Sequence, residues 1–315
     1  MPPITCTPKS LPKAKLHAAA ALAFGENPGN RFPIEKLLRL APSFAPTPDA
    51  IAVLRGKYWG KRAVRLSVSF LDGAPLALRR RIVEHMNAWQ RRADVAFTLA
   101  DRDGDVRIAR LDDAQQGGYW SYVGTDILAI DADQPTMNLE GFTLATPESE
   151  FRRVVRHEAG HTLGFVHEHM RSELVARIDR EKAFKYFDKT QGWSREEVEA
   201  QVLTPIENGS LLGNPAPDPD SVMCYQLPPE ILLAGAPPIL GGADITDSDH
   251  RWAGKLYPRA DAAPVELLAV DGGGEGVHGA GEARGGETGQ PRRPVAVIVP
   301  GGEAAYVAAL VEALR

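Results

Sequence analysis

Apolar and polar residues alternate strictly in Val64-Arg65-Leu66-Ser67-Val68-Ser69-Phe70, the period-two pattern of a half-buried strand. The period then changes. From Leu76 to Ala93 an apolar stripe recurs at Leu78, Ile82, Met86 and Trp89, with Val83 widening it, so this helix faces a core. Val95 to Ala100 and Val106 to Leu111 are two further alternating runs. The dipeptide Asp103-Gly104 between them suits a tight hairpin turn, and the simplest pairing makes them neighbours. Gly118 to Thr125 and Asp126 to Ile130 read as additional extended structure. A long helix is expected from Thr146, an N-cap with Pro147 in its first turn, through Phe151, Val154 and Val155 to about Gly164. Helical patterns follow over Arg180 to Thr190, over Ser194 to Val202 with Ser194 and Glu197 in capping-box spacing, and over Asp244 to Tyr257 starting at Thr246. Strands succeeded by helices imply an α+β fold in sheet-and-helix layers.

The two ends of the chain differ from this middle. Residues 1–50 are proline-interrupted, with short helical patterns around Lys15 to Ala23 and Pro33 to Leu40, and read as an N-terminal arm or pro-segment. The main domain is placed at 51–260. Residues 261–294 are rich in glycine and charge and read as a flexible linker. Residues 295–315 supply one apolar strand and one helix-like stretch, too little for a stable domain, so this tail docks on an unidentified partner or begins a truncated second domain.

Composition narrows the function classes. A chain of 315 residues with 43% hydrophobic content suffices for a buried core. No apolar run approaches the roughly 18–20 residues that cross a bilayer, so membrane insertion is not expected. The stretch Leu16 to Phe24 is short and lacks a small-residue cleavage site after it, so no clear signal peptide is read and a cytoplasmic or non-classically exported protein is expected. The net charge of −5 is spread along the chain without a basic stripe, which argues against nucleic acid. Cys6 and Cys224 are the two cysteines, giving neither a disulfide framework nor a CxxC metal site.

The chemistry concentrates in His157-Glu158-Ala159-Gly160-His161-Thr162-Leu163-Gly164-Phe165-Val166-His167. Residues four apart on a helix share a face, so His157 and His161 present two imidazoles to one point with Glu158 beside them. Gly164 can adopt a left-handed conformation, ending the helix and returning His167 to the same point. Three histidine ligands that leave a fourth position open are the catalytic rather than the structural arrangement of one Zn²⁺ ion. Glu158 is then the general base toward a metal-activated water. His17, His85, His250 and His278 are isolated and read as ordinary surface or core residues, while His169 either supports a ligand or is exposed. Asp101, Asp103 and Asp105 lack the glycine placement of a calcium loop and read as a solvated hairpin.

This helix, followed by Ser221-Val222-Met223-Cys224-Tyr225, resembles the metzincin zinc peptidases. Within them the chain is most similar to the astacin branch, through Gly164-Phe165-Val166-His167-Glu168 with Arg171, and through Trp120-Ser121-Tyr122-Val123-Gly124. The resemblance covers about residues 63–258 and marks a divergent, bacterial-type relative. It implies a metzincin-type domain with a twisted mixed sheet, an active-site helix and a mainly helical C-terminal subdomain. It further implies Met223 as an apolar floor beneath the metal, Tyr225 as a catalytic residue stabilising the tetrahedral intermediate, and Trp120 to Thr125 as an edge that binds polypeptide substrate in extended form. The family's disulfides are absent, and Cys224 stands where histidine is usual. In mature relatives the glutamate matching Glu168 meets a freed amino terminus; a surface salt bridge is the alternative for Glu168 here.

The expected activity is therefore zinc-dependent endopeptidase. A catalytically silent zinc-binding regulatory module and a zinc hydrolase of a non-peptide amide are the alternatives. The Cys6 thiolate is a candidate for the open zinc position, which would make the arm a latency device, with an inert cysteine as the alternative.

Overall fold

The computed structural model describes residues 6, 9–30, 56–60, 63–113, 116–204, 218–224 and 226–259. The linker at 261–294, the tail at 295–315 and the helical pattern at Pro33 to Leu40 lie outside the described residues.

Five strands form one mixed sheet: β1 (Val64–Phe70), β2 (Val95–Leu99), β3 (Val106–Ala109), β4 (Tyr119–Ser121) and β5 (Met137–Leu139), in the order β2-β1-β3-β5-β4. The pairs β1–β2, β1–β3 and β3–β5 are parallel, and β4 runs antiparallel to β5. The expected β2–β3 hairpin is therefore wrong, because both strands flank β1. The Asp103-Gly104 turn instead carries the chain across the β1 edge. There the Asp105 carboxylate accepts from the Ser67 backbone N–H at 2.7 Å and hydroxyl at 2.6 Å, and the Gly104 N–H donates to Ser69 Oγ at 3.0 Å.

The first described helix, α1 (Leu16–Glu26), belongs to the arm, and α2 (Leu76–Met86) buries Leu78, Ile82, Val83 and Met86 as its stripe requires. A 3₁₀ segment, Asn87–Arg91, extends α2 and buries Trp89. The active-site helix begins as the turn Glu148–Glu150, passes through a π-helical turn at Phe151–Val155 and continues as α3 (Arg156–Thr162). It starts after Pro147 rather than at Thr146, because the Thr146 hydroxyl turns back to accept from the Thr143 N–H at 2.9 Å. Beyond it lie α4 (Arg180–Gln191) and α5 (Asp247–Leu256), the latter opening with a capping box at Thr246 and Asp249.

Two apolar clusters result. The larger joins β1, β2, β3 and α2 to Phe151, Val154, Val155 and Met223, and the second, mainly helical one gathers Leu174, Phe184, Val198 and Ile239 with both cysteines. The arm is part of this architecture. Asn30 donates to the carbonyls of Ala23 at 3.0 Å and Tyr58 at 2.8 Å, and its own carbonyl oxygen Oδ1 accepts from the Tyr58 N–H. From the same segment Trp59 donates its indole N–H to the Thr162 carbonyl at 2.8 Å, and the Tyr257 hydroxyl donates to the Leu163 carbonyl, so the end of α3 is held from two distant parts of the chain. Among the described residues no helix is long and apolar enough to cross a membrane.

Candidate active site

The turn after α3 forms because Gly164 takes φ +96°, closed to most side chains. The Gly164 N–H then donates to the His161 carbonyl at 2.8 Å and the Phe165 N–H to the Gly160 carbonyl at 3.0 Å, the paired bonds of a Schellman end. This reversal returns His167 to the helix face that carries His157 and His161. The Nε2 atom of His167 lies 3.1 Å from Nε2 of His157 and 2.9 Å from Nε2 of His161.

In two of the three rings the proton sits on the other nitrogen, which leaves Nε2 able to hold a metal. The His157 Nδ1–H donates to the Val222 carbonyl at 2.6 Å, and the His161 Nδ1–H donates to the Phe165 carbonyl at 2.7 Å. With Nδ1 protonated, each Nε2 carries a lone pair. Tetrahedral zinc, with bonds of about 2.0–2.1 Å, spaces its nitrogens roughly 3.3 Å apart, close to what is seen. Burial pushes His161 down to about 4, and burial, followed by the neighbouring imidazoles, holds His157 and His167 well below the ordinary histidine value. Neutral rings are the form that binds metal.

The fourth group is Cys6. Its sulfur and one nitrogen from each of the three histidines all lie within 4.8 Å of one another, and all four residues are buried. Glu158 is completely buried beside them and forms no hydrogen bond to a nitrogen or hydroxyl donor. Burial pushes its carboxyl up to about 8, while the Cys6 thiol and then the Arg153 charge pull it back. A cavity of about 130 Å³ opens here, lined by Cys6, Tyr119, Arg153, His157, Glu158 and Cys224 among others.

Met223 lies beneath the helix. A Cβ on Gly160 would stand 2.4 Å from the Met223 sulfur, so the missing side chain lets the turn pack directly on α3. The turn is anchored from α5: Asp249 accepts from the Ser221 hydroxyl at 2.6 Å, the Val222 N–H at 3.1 Å and the Thr246 N–H at 2.9 Å. Sequence reasoning found Thr246 but missed Asp249, whose signal was the acidic residue three positions after that cap. Tyr225 lies outside the described residues.

The stretch Trp120 to Gly124 does not form one ladder. Strand β4 ends at Ser121, and the 3₁₀ segment Gly124–Ala129 replaces the extended run expected there. Gly124 sits at φ +52°, and a Cβ on it would lie 1.8 Å from the Lys57 carbonyl oxygen. That approach turns the chain away from the sheet. Ser121 points inward, its hydroxyl 3.2 Å from that of Thr162, and Trp120 and Val123 are buried. Tyr122 is half-buried. The arm covers this edge, with Cys6 bridged to Tyr119 and Lys9 to Tyr122, both parallel.

Glu168 is half-buried. Its carboxylate accepts from the Asp218 N–H at 3.0 Å, lies 3.8 Å from the buried Arg171 guanidinium and is pushed up by burial to about 7. His169 is fully buried, its ring centroid 5.0 Å from that of His167, and His85 and His250 are buried as well.

Residues 55–191 match the family model described as Astacin, a family of peptidases. The chain is 30% identical over 122 residues to the zinc metalloproteinase nas-27 of Caenorhabditis elegans, a match that covers 39% of this chain and 26% of that protein. It is 26% identical over 122 residues to the zinc metalloproteinase nas-38 of the same nematode, covering 39% of this chain and 15% of that protein. The match thus spans about a quarter or less of the length of these curated relatives. Among solved structures, that of myroilysin superposes with a TM-score of 0.57 at 24% identity, over 64% of this chain and 96% of the other. A crystal structure of myroilysin superposes with a TM-score of 0.50 at 25% identity, over 64% and 86%.

Proposed function

We propose, from the match of residues 55–191 to the Astacin family model, that this chain is an astacin-like, zinc-dependent endopeptidase held latent by its own arm. The observation that carries the reading is the convergence of three histidine Nε2 atoms beside a buried carboxylate in one cavity. His157, His161 and His167 would hold one zinc ion. When bound, zinc supplies Lewis acidity, polarising the peptide carbonyl and lowering the pKa of a water toward about 7. Glu158 takes the proton of the attacking water and returns it to the leaving amine. A divalent cation beside Glu158 favours its ionised form and so offsets the upward push of burial. Tyr225, by the resemblance, stabilises the developing oxyanion. Met223 packs under the metal ligands through Gly160.

Latency rests on the position of Cys6. A thiolate is a good zinc ligand, and this sulfur reaches the point on which the three imidazoles converge. The arm also lies along β4, the edge an extended substrate would use. Cleavage of a denatured-peptide library by zinc-loaded chain and by Glu158→Gln, each with and without the arm released by limited proteolysis, tests the reading. Cutting by the parent alone, with about one zinc per chain retained in both as a three-histidine site predicts, supports it. Absence of cutting by either protein after arm release favours a silent zinc module.

A further inference from the structure

Beyond the metal, the arm makes one contact that latency does not require. Lys9 places its ammonium 4.9 Å from the centroid of the Trp120 ring. Tyr122 stands edge-on to that indole, with ring centroids 6.0 Å apart and planes at 83°. The indole is fixed, since its N–H donates to the Gln116 carbonyl at 2.8 Å. A second cavity of about 190 Å³ surrounds this contact, lined by Lys9 with Gln116, Trp120, Tyr122, Ile130 and Gln134 among others. Burial lowers the Lys9 pKa and the charge of Asp113 raises it, so a carboxylate acts on the ammonium as it gives up water.

We infer that Trp120 and Tyr122 form a substrate subsite for a lysine or arginine side chain, which Lys9 of the arm fills in the latent protein. The inference rests on the peptidase reading and names part of its substrate class. An aromatic face attracts a cation through its quadrupole, with indole the strongest, and an apolar wall accepts the alkyl stem. Strand β4 ends the sheet, so its outer edge is where an extended peptide adds. The arm supplies the scale. Cys6 reaches the metal site and Lys9 lies three residues further along the same edge, roughly 10 Å at about 3.3 Å per extended residue. A substrate side chain in this subsite therefore lies about two to four residues from the scissile bond, on one side of it.

Binding tests this without turnover. Fluorescent hexapeptides carrying one lysine, or norleucine in its place, at each position in turn are titrated against the zinc-loaded full chain bearing Cys6→Ser, Lys9→Ala and Glu158→Gln. Tighter binding of lysine over norleucine by about fivefold is expected in one register, as for a partly desolvated cation over an indole. Adding Trp120→Phe, which keeps an aromatic ring but weakens the quadrupole, should shrink that ratio. Equal affinity of the lysine and norleucine peptides in every register overturns the subsite. Failure of the peptidase reading looks different: the same chain with Glu158 intact leaves the peptides uncut while the lysine preference persists.

Discussion

The Nδ1–H of His157 and the carbonyl of Val222, 65 positions apart, meet at 2.6 Å and tie the first of the three converging histidines to the turn that carries Met223. That carbonyl is aimed by Asp249, which holds the neighbouring N–H of Val222 and the hydroxyl of Ser221. Removing the clamp frees the carbonyl and, through it, the imidazole. Asp249→Asn is expected to weaken zinc binding about 10- to 100-fold, the range for lost outer hydrogen bonds to metal-ligating histidine. Competition against a chromophoric chelator, with thermal unfolding of the apo-protein as a fold control, measures it. Unaltered zinc affinity would show that the turn needs no anchor.

Cys6→Ser should move two readings in opposite directions. The arm loses its ligand, so zinc is released more readily to a chelator, and basal peptidase activity of the full chain rises as the fourth position opens. No change in either reading would make Cys6 an inert buried thiol.

Gly124 and Gly141 offer a controlled comparison. Both have positive φ, +52° and +67°, but an added Cβ meets the Lys57 carbonyl oxygen at 1.8 Å in the first and nothing within 4 Å in the second. Gly141→Ala should cost about 1–2 kcal/mol, the left-handed penalty alone. Gly124→Ala adds a clash with rigid backbone and should cost about 1–3 kcal/mol more, read from urea midpoints. Equal losses would place segment 56–60 elsewhere in solution.

Glu148 opens the active-site helix and is held by Arg81 at 3.0 Å and Arg152 at 3.2 Å. Those hydrogen bonds, Arg81's first, draw its carboxyl down to about 2 from the ordinary 4.5. The unfolded chain therefore takes up this proton before the folded one. The stabilisation is complete above the unfolded value and is lost as pH falls from about 4.5 toward 2. Unfolding free energy measured across that window should fall less steeply in Glu148→Gln than in the parent.

The convergence of His157, His161 and His167 was legible because they occupy one contiguous motif, in which helical spacing and a glycine stop determine the geometry. The burial of Leu78, Ile82, Val83 and Met86 was legible for the same reason, since a period of 3.6 assigns a face. Pairing was not. Alternation in Val95 to Ala100 and Val106 to Leu111 assigns two faces to each strand and no partner, so β1 could enter between them unannounced. The stretch Trp120 to Gly124 was misread as wholly extended because what bends it, the Lys57 carbonyl packed against Gly124, lies more than sixty residues earlier in the chain. The anchoring role of Asp249 escaped for a similar reason, since besides capping its own helix it holds Ser221 and Val222, far earlier in the chain.

The end of α3 is pinned by Trp59 and by Tyr257, contacts that span 103 and 94 positions. Contacts of such range close large loops, so they form only once both ends are present and the rest of the chain has collected around them. During synthesis Cys6 is made first and Tyr257 last among the groups that complete the site. Under the latency proposed above, the blocking segment thus exists before there is anything for it to block, and the site of a nascent chain is not complete until the helix Asp247–Leu256 and Tyr257 have left the ribosome.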